Sequence, residues 1–278
     1  MLTVRPSVRR DTLSREQMFQ ALFLVAALNS AMGHIMRIAM VDGWLLAIAS
    51  LGGLSAILWL AIGVGIALLG SGEATAPKRA DLIVAGLVAL AALVPVSTAS
   101  DGALTLTAFW ALVMSHRGSA IRRAGFLFLS VTTSLLWGRV LLALGSRPIL
   151  DIDAWLSGWL IGTHGEGNRI YFADGSGFFL VAPGCSSLQS ISLALVFWAV
   201  VTQHYRLPID RRALLVCLAA VIAAIAINVV RLASLAHFPQ HFSVIHVGWG
   251  GQVFGWLGLG AIVATVITGF WGKIIARR

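Results

Sequence analysis

Long apolar runs alternate with short basic clusters over most of the chain. The runs cover residues 18–36, 44–70, 82–98, 103–115, 124–145, 185–203, 213–236 and 246–271. A helix rises 1.5 Å per residue, so about 20 apolar residues cross the hydrocarbon core of a bilayer. Asn29, His34 and Arg37 interrupt the first run late, Pro95 falls near the end of the third, and the fourth is the shortest. Between the fifth and sixth runs the pattern changes. Residues 146–184 are mixed and turn-rich, with Trp155 and Trp159 as aromatic anchors of a short interfacial helix. Two apolar stretches, 168–173 and 178–182, flank Asp174-Gly175-Ser176-Gly177 and predict a β-hairpin. A connection this long in a compact protein is often functional.

The pattern predicts an all-α polytopic membrane protein. It has about eight transmembrane helices, with a small β-hairpin in the long outer loop before the sixth. The segments are a basic cytoplasmic tail (1–17), five helices (18–145), the outer loop (146–184), three C-terminal helices (185–272) and a second cytoplasmic tail (273–278). No internal repeat is visible.

Composition agrees. Of the 278 residues 58% are hydrophobic and 11% charged, where a soluble domain carries about 25% charged residues. A soluble fold of this composition would expose large apolar patches, and the same numbers exclude disorder and a disulfide scaffold. The net charge of +9 would suggest nucleic acid in a soluble chain, but here it marks cytoplasmic loops. With eight alternating spans and a cytoplasmic N-terminus, the inner side holds Arg5, Arg9, Arg10, Arg15, Lys78, Arg79, Arg117, Arg122 and Arg123. It also holds Arg206, Arg211, Arg212, Lys273, Arg277 and Arg278, leaving only Arg37, Arg139, Arg147, Arg169 and Arg231 elsewhere. The first 16 residues read as a tail ahead of a first span, not as a removable signal peptide.

The chain has no CxxC, HExxH, Walker A or GxGxxG motif, and we expect neither a metal nor a cofactor. The topology places Cys185, Arg231 and His246 at the outer ends of the sixth, seventh and eighth helices. Cys185 begins its helix, where the dipole and free N–H groups favour a thiolate. Ser186, Ser187 and Gln189 add polar groups to that first turn. Cys217 lies among Leu215, Val216 and Leu218 near the opposite face, so the two cysteines cannot form a disulfide. Arg231 is an ionisable residue in an apolar helix, and such residues are often functional. Asn228 shares its face and would orient the guanidinium or bind substrate backbone. Arg139 snorkels. Of His237, His241 and His246, the last is preferred because it opens a helix and precedes Gly248, Gly250 and Gly251, which allow another backbone close. A metal site from all three lacks a known ligand spacing. His34 and His164 are weaker candidates.

At Pro183-Gly184-Cys185-Ser186-Ser187-Leu188-Gln189, Asn228-Val229-Val230-Arg231 and His246 with Gly250, the chain resembles the exosortase/archaeosortase family. The resemblance covers residues 168–256. It implies a bacterial inner-membrane cysteine transpeptidase, or thiol protease, of about eight spans. Its partners would be exported, membrane-anchored proteins with a C-terminal sorting signal: a short motif, a transmembrane helix and a basic tail. It further implies a catalytic set of Cys185, Arg231 and His246. Ser187 stands where the family usually has glycine, and Val247 where an acidic residue often follows the histidine. In the implied chemistry Cys185 forms a thioester, His246 serves as acid and then base, and Arg231 stabilises the oxyanion. The competing reading is a non-enzymatic transporter or export-complex subunit binding an anion through Arg139, Arg231 and the histidines. Transporters place such groups near the midplane, whereas these lie near one face.

Overall fold

A computed structural model describes residues 13–94, 97–163 and 166–277. Arg5, Arg9, Arg10, Pro95, His164 and Arg278 lie outside them. The chain divides into two units, residues 1–132 and 133–278.

In the first unit α1 (Arg15–Val41) starts at a capping box. Ser14 Oγ accepts from the Gln17 N–H at 3.2 Å, and Gln17 Oε1 accepts from the Ser14 N–H at 2.9 Å. Phe19, Phe23, Ala26, Ala27 and Ala31 recur at helical spacing and are buried. Phe23 stacks on Phe128 with ring centroids 4.1 Å apart.

The second apolar run, expected as one span, is broken. It forms α2 (Trp44–Ala49), a 3₁₀ turn (Leu51–Gly53) and α3 (Ala56–Gly70), which Ser55 caps. Leu51, Gly52 and Gly53 all have positive φ. A Cβ on Gly52 would lie 2.4 Å from Ile35 Cγ1, and one on Gly53 2.7 Å from Ile38 Cδ1. The turn therefore presses on α1 where only glycine fits. Next come α4 (Arg79–Leu93), α5 (Ser97–Met114) and α6 (Ala120–Thr132).

The chain stays helical after Thr132. A π-turn (Thr133–Trp137) leads into α7 (Gly138–Ile161). The helix thus continues through residues assigned above to the outer loop, and Trp155 and Trp159 sit in its last turns. The cause is local. Gly145 leaves helical geometry (φ −148°, ψ 45°) and makes a kink. Pro148 follows within three residues, where a missing N–H costs little because a restarting helix leaves its first N–H groups unpaired.

The hairpin forms as expected, with β1 (Arg169–Tyr171) antiparallel to β2 (Phe178–Leu180) and Ile170 opposite Phe179. At its tip Gly175 has φ 74° and Ser176 N–H donates to Asp174 Oδ1 at 2.9 Å. Hydrogen bonds from the Ser176 side chain and then its backbone N–H hold the Asp174 carboxyl below the usual range. A 3₁₀ turn (Pro183–Cys185) connects to α8 (Ser187–His204), then α9 (Arg211–His237), a 3₁₀ turn (Pro239–His241), α10 (Phe242–His246) and α11 (Trp249–Ile275).

Four helical segments among the described residues are long and apolar enough to cross a bilayer: Arg15–Val41, Ala120–Ile161, Arg211–His237 and Trp249–Ile275. Large apolar side chains such as Leu45, Ile83, Leu144 and Ile222 are exposed. Water would reject that surface, and hydrocarbon accepts it. The protein is an all-α multi-pass membrane protein with one small hairpin.

Candidate active site

Cys185 sits where the hairpin hands over to α8. Its N–H donates to Ala182 O at 2.8 Å and closes the 3₁₀ turn that Pro183 starts. Its side chain, 8% exposed, packs with Leu150 and Ala154 of α7, Ile170 and Val181 of the hairpin, and Leu232, Leu235 and Ala236 of α9. Both Cys185 and Cys217 are free thiols.

The expectation that Cys185 opens the helix is corrected. Ser186 is the N-cap of α8, and its Oγ accepts from Leu188 N–H at 3.2 Å. Cys185 therefore lies one residue outside the helix. The N–H groups of residues 185–188 are all occupied. Ser186 N–H donates to Pro183 O at 3.3 Å, and Ser187 N–H donates to Asp153 Oδ2 at 2.9 Å. A helix N-terminus binds an anion only through unpaired N–H groups. This one leaves none of the N–H groups of residues 185–188 open, and a charge developing on a substrate oxygen must be met elsewhere.

Asn228 is buried on α9 and does not serve Arg231. Its Nδ2 donates to Cys185 O at 2.9 Å and to Ser187 Oγ at 3.1 Å. Ser187 Oγ in turn donates to Asp153 Oδ1 at 2.5 Å. The serine at this position, where the resembled family usually has glycine, thus joins α7, α8 and α9. Asp153 is not among the sequence candidates because the hydropathy pattern assigns residues 146–184 to the outer loop. The available signal is a pair of acids, Asp151 and Asp153, alternating with apolar residues in a helix-compatible segment, Leu150 to Ala154.

His246 also departs from its expected place. It ends α10 instead of opening the eighth span, and α11 begins three residues later at Trp249. The glycines after it do admit another backbone, and that backbone is α10 itself. A Cβ on Gly248 would lie 2.8 Å from Val244 O, and one on Gly250 3.0 Å from the same atom. This fold-back aims the imidazole at the thiol, with Cys185 Sγ to His246 Nδ1 at 3.9 Å across 61 residues of sequence. Aromatic packing fixes the ring. Phe242 lies 5.3 Å from it, centroid to centroid, and itself packs edge-on against Phe172 and Phe179 beside the hairpin.

Arg231 reaches the same residue from α9. Its Nη2 donates to His246 O at 3.1 Å, while Nε is buried without a hydrogen-bond partner among the described residues. A buried N–H without an acceptor is costly, and here it belongs to a cation within reach of the thiol–imidazole pair's own residues. The other sequence candidates stay apart. Gln189 is exposed and makes no hydrogen bond to this group, and Ser186 serves as the cap. His237 and His241 are exposed. His34 lies on α1 of the first unit, and Arg139 Nε donates to Leu135 O at 2.6 Å within its own helical segment. No group of three or more His, Cys, Asp or Glu side chains suited to a metal occurs among the described residues.

A multi-pass membrane fold bringing a thiol, an imidazole and a guanidinium together defines a narrow class. The transmembrane exosortase family model matches residues 73–268, well over half of the chain and including Cys185, Arg231 and His246. The chain belongs to the transmembrane exosortase family. No curated protein and no solved structure matches it.

Proposed function

We propose that this exosortase is a cysteine transpeptidase that cleaves the C-terminal sorting signal of exported, membrane-anchored proteins through a thioester. The observation that carries the reading is the 3.9 Å approach of Cys185 Sγ to His246 Nδ1. At that range imidazole takes the thiol proton, and the thiolate attacks the scissile carbonyl carbon. The tetrahedral oxyanion that results has no open N–H of residues 185–188 to receive it. Arg231 supplies the donor, and its unpaired Nε is the group best placed to gain a bond as charge develops. His246 returns the proton to the leaving nitrogen as the C–N bond breaks, which leaves the acyl group on sulfur. An incoming amine or water, deprotonated by the same imidazole, then attacks the thioester and frees Cys185.

The site faces the non-cytoplasmic side in this proposal, with both termini cytoplasmic, eight spans in all, and the bacterial inner membrane as the location. The supporting observation is the concentration of basic residues in alternate connections.

The test is processing of a tailed substrate followed by gel shift. Cys185→Ala lowers processing by about 10³-fold or more, while Cys217→Ala leaves it unchanged. Equal processing by the two variants would end the thiol mechanism.

A further inference from the structure

One buried carboxylate of the second unit takes no part in this chemistry. Asp153 on α7 is 3% exposed, and both of its oxygens go to one residue, Ser187. No cation pairs with it among the described residues. We infer that Asp153 is a positioning residue for Cys185, acting through Ser187 and Asn228. The inference rests on the thiol reading above, since it needs a reacting group to position.

Hydrogen-bond polarity makes the case. An ionised carboxylate only accepts, so Ser187 must give it both its N–H and its hydroxyl hydrogen. With that hydrogen committed, Ser187 Oγ faces Asn228 with lone pairs and accepts from Nδ2. The second Nδ2 hydrogen is then directed to Cys185 O. Four bonds in series thus fix the orientation of the Asn228 amide and the carbonyl of the residue bearing the thiol. An amide at position 153 breaks this order, because its NH₂ would donate to Ser187 Oγ and leave the hydroxyl hydrogen without its acceptor.

Other charged groups on the packed elements are few. Arg231 comes from α9 and His246 from α10, while α8 carries only His204, at its far end. On α7 itself Arg139, Arg147 and Asp151 precede Asp153, the last by two residues, Arg211 and Arg212 begin α9, and Arg169 and Asp174 of the hairpin, like His237, are exposed. Replacing Asp153 by Asn therefore removes the negative charge closest in the bonded network while keeping side-chain volume.

The experiment needs no substrate. Iodoacetamide alkylation of Cys185 is followed by intact mass against pH, with full-length protein in detergent and Cys217→Ala as the parent. In Asp153→Asn the rate of Cys185 alkylation rises about threefold to tenfold at each pH, because the carbonyl of the thiol-bearing residue is no longer held in place. Processing of a tailed substrate slows in the same variant, with kcat reduced and KM kept. Ser187→Ala removes the hydroxyl that links Asp153 to Asn228, so it also alkylates severalfold faster as the turn loosens. An Asp153→Asn profile that superimposes on the parent overturns the inference. If that variant does not fold, Ser187→Ala decides: alkylation within twofold of the parent overturns it, and uniformly faster alkylation upholds it. Loss of processing in the parent would count against the transpeptidase reading and leave these alkylation outcomes readable.

Discussion

Each unit buries an acidic side chain early in a polar network, and the two networks end differently. In the first unit Asp81 is completely buried and fully paired. Arg15 meets it through Nε at 2.7 Å and Nη2 at 3.1 Å, Trp110 Nε1–H donates at 2.9 Å, and Lys78 N–H at 2.9 Å. Beside it Glu16 accepts from Thr75 N–H and Oγ1–H at 2.8 and 2.9 Å. The Arg15 guanidinium matches Asp81, neutral donors meet Glu16, and no reactive group takes part. In the second unit Asp153 has hydroxyl and amide donors but no cation, and the cation of that unit's cluster, Arg231, keeps a buried Nε open. A closed network of this kind holds helices together. One with an open guanidinium, a free thiol and an imidazole keeps hydrogen-bonding capacity unspent, which in the proposed function goes to a substrate.

Three substitutions break or sharpen the contrast. Asp81→Ala strands Arg15 in a buried site, and breaking such a pair costs about 3–5 kcal/mol. Thermal unfolding in detergent should show a large loss, while the alkylation profile of Cys185 in the protein that remains folded stays in place. A shifted profile would mean that the closed network is not merely structural. Asn228→Ala removes the donor to Cys185 O and Ser187 Oγ. It should destabilise by about 1–3 kcal/mol, the cost of leaving buried acceptors unmet, and slow processing as well. A loss of stability with full processing would separate Asn228 from the thiol. Asp210→Asn lies at the weak end. Lys273 Nζ and then Ala213 N–H, both at 2.8 Å, hold the exposed Asp210 carboxyl below the usual carboxylate range. Its folded value is lowered, so its contribution is present above the ordinary carboxylate range and disappears as pH falls through the lowered value. The pair is solvent-screened, so the variant's unfolding midpoint at pH 7 should differ by about 1 °C or less, and the difference should vanish in acid. A larger shift would make this exposed pair a third working network.

Much of the architecture was legible because its causes are local. Hydropathy marks segments that only lipid or protein can cover, and Asp174-Gly175 supplies the turn that pairs two short apolar stretches. Position in the apolar runs also put Cys185, Arg231 and His246 on one short candidate list. Breaks and continuations were harder. The second run is interrupted because Gly52 and Gly53 press on Ile35 and Ile38 of another helix, and α7 continues because a kink at Gly145 gives Pro148 a tolerable place. Neither depends on apolar content.

The amino-acid order alone settled the solvent, the helical class, the hairpin and the residue types able to do thiol chemistry, since each follows from near neighbours. Three-dimensional packing settled the rest. It put His246 at the end of a short helix folded back on glycines, gave Asn228 to Cys185 instead of Arg231, and brought Asp153 from a supposed loop to the start of α8. Hydrogen bonds between residues 34 to 43 positions apart carry no periodic trace in a chain, because their cost and gain arise only once burial has removed water from both partners.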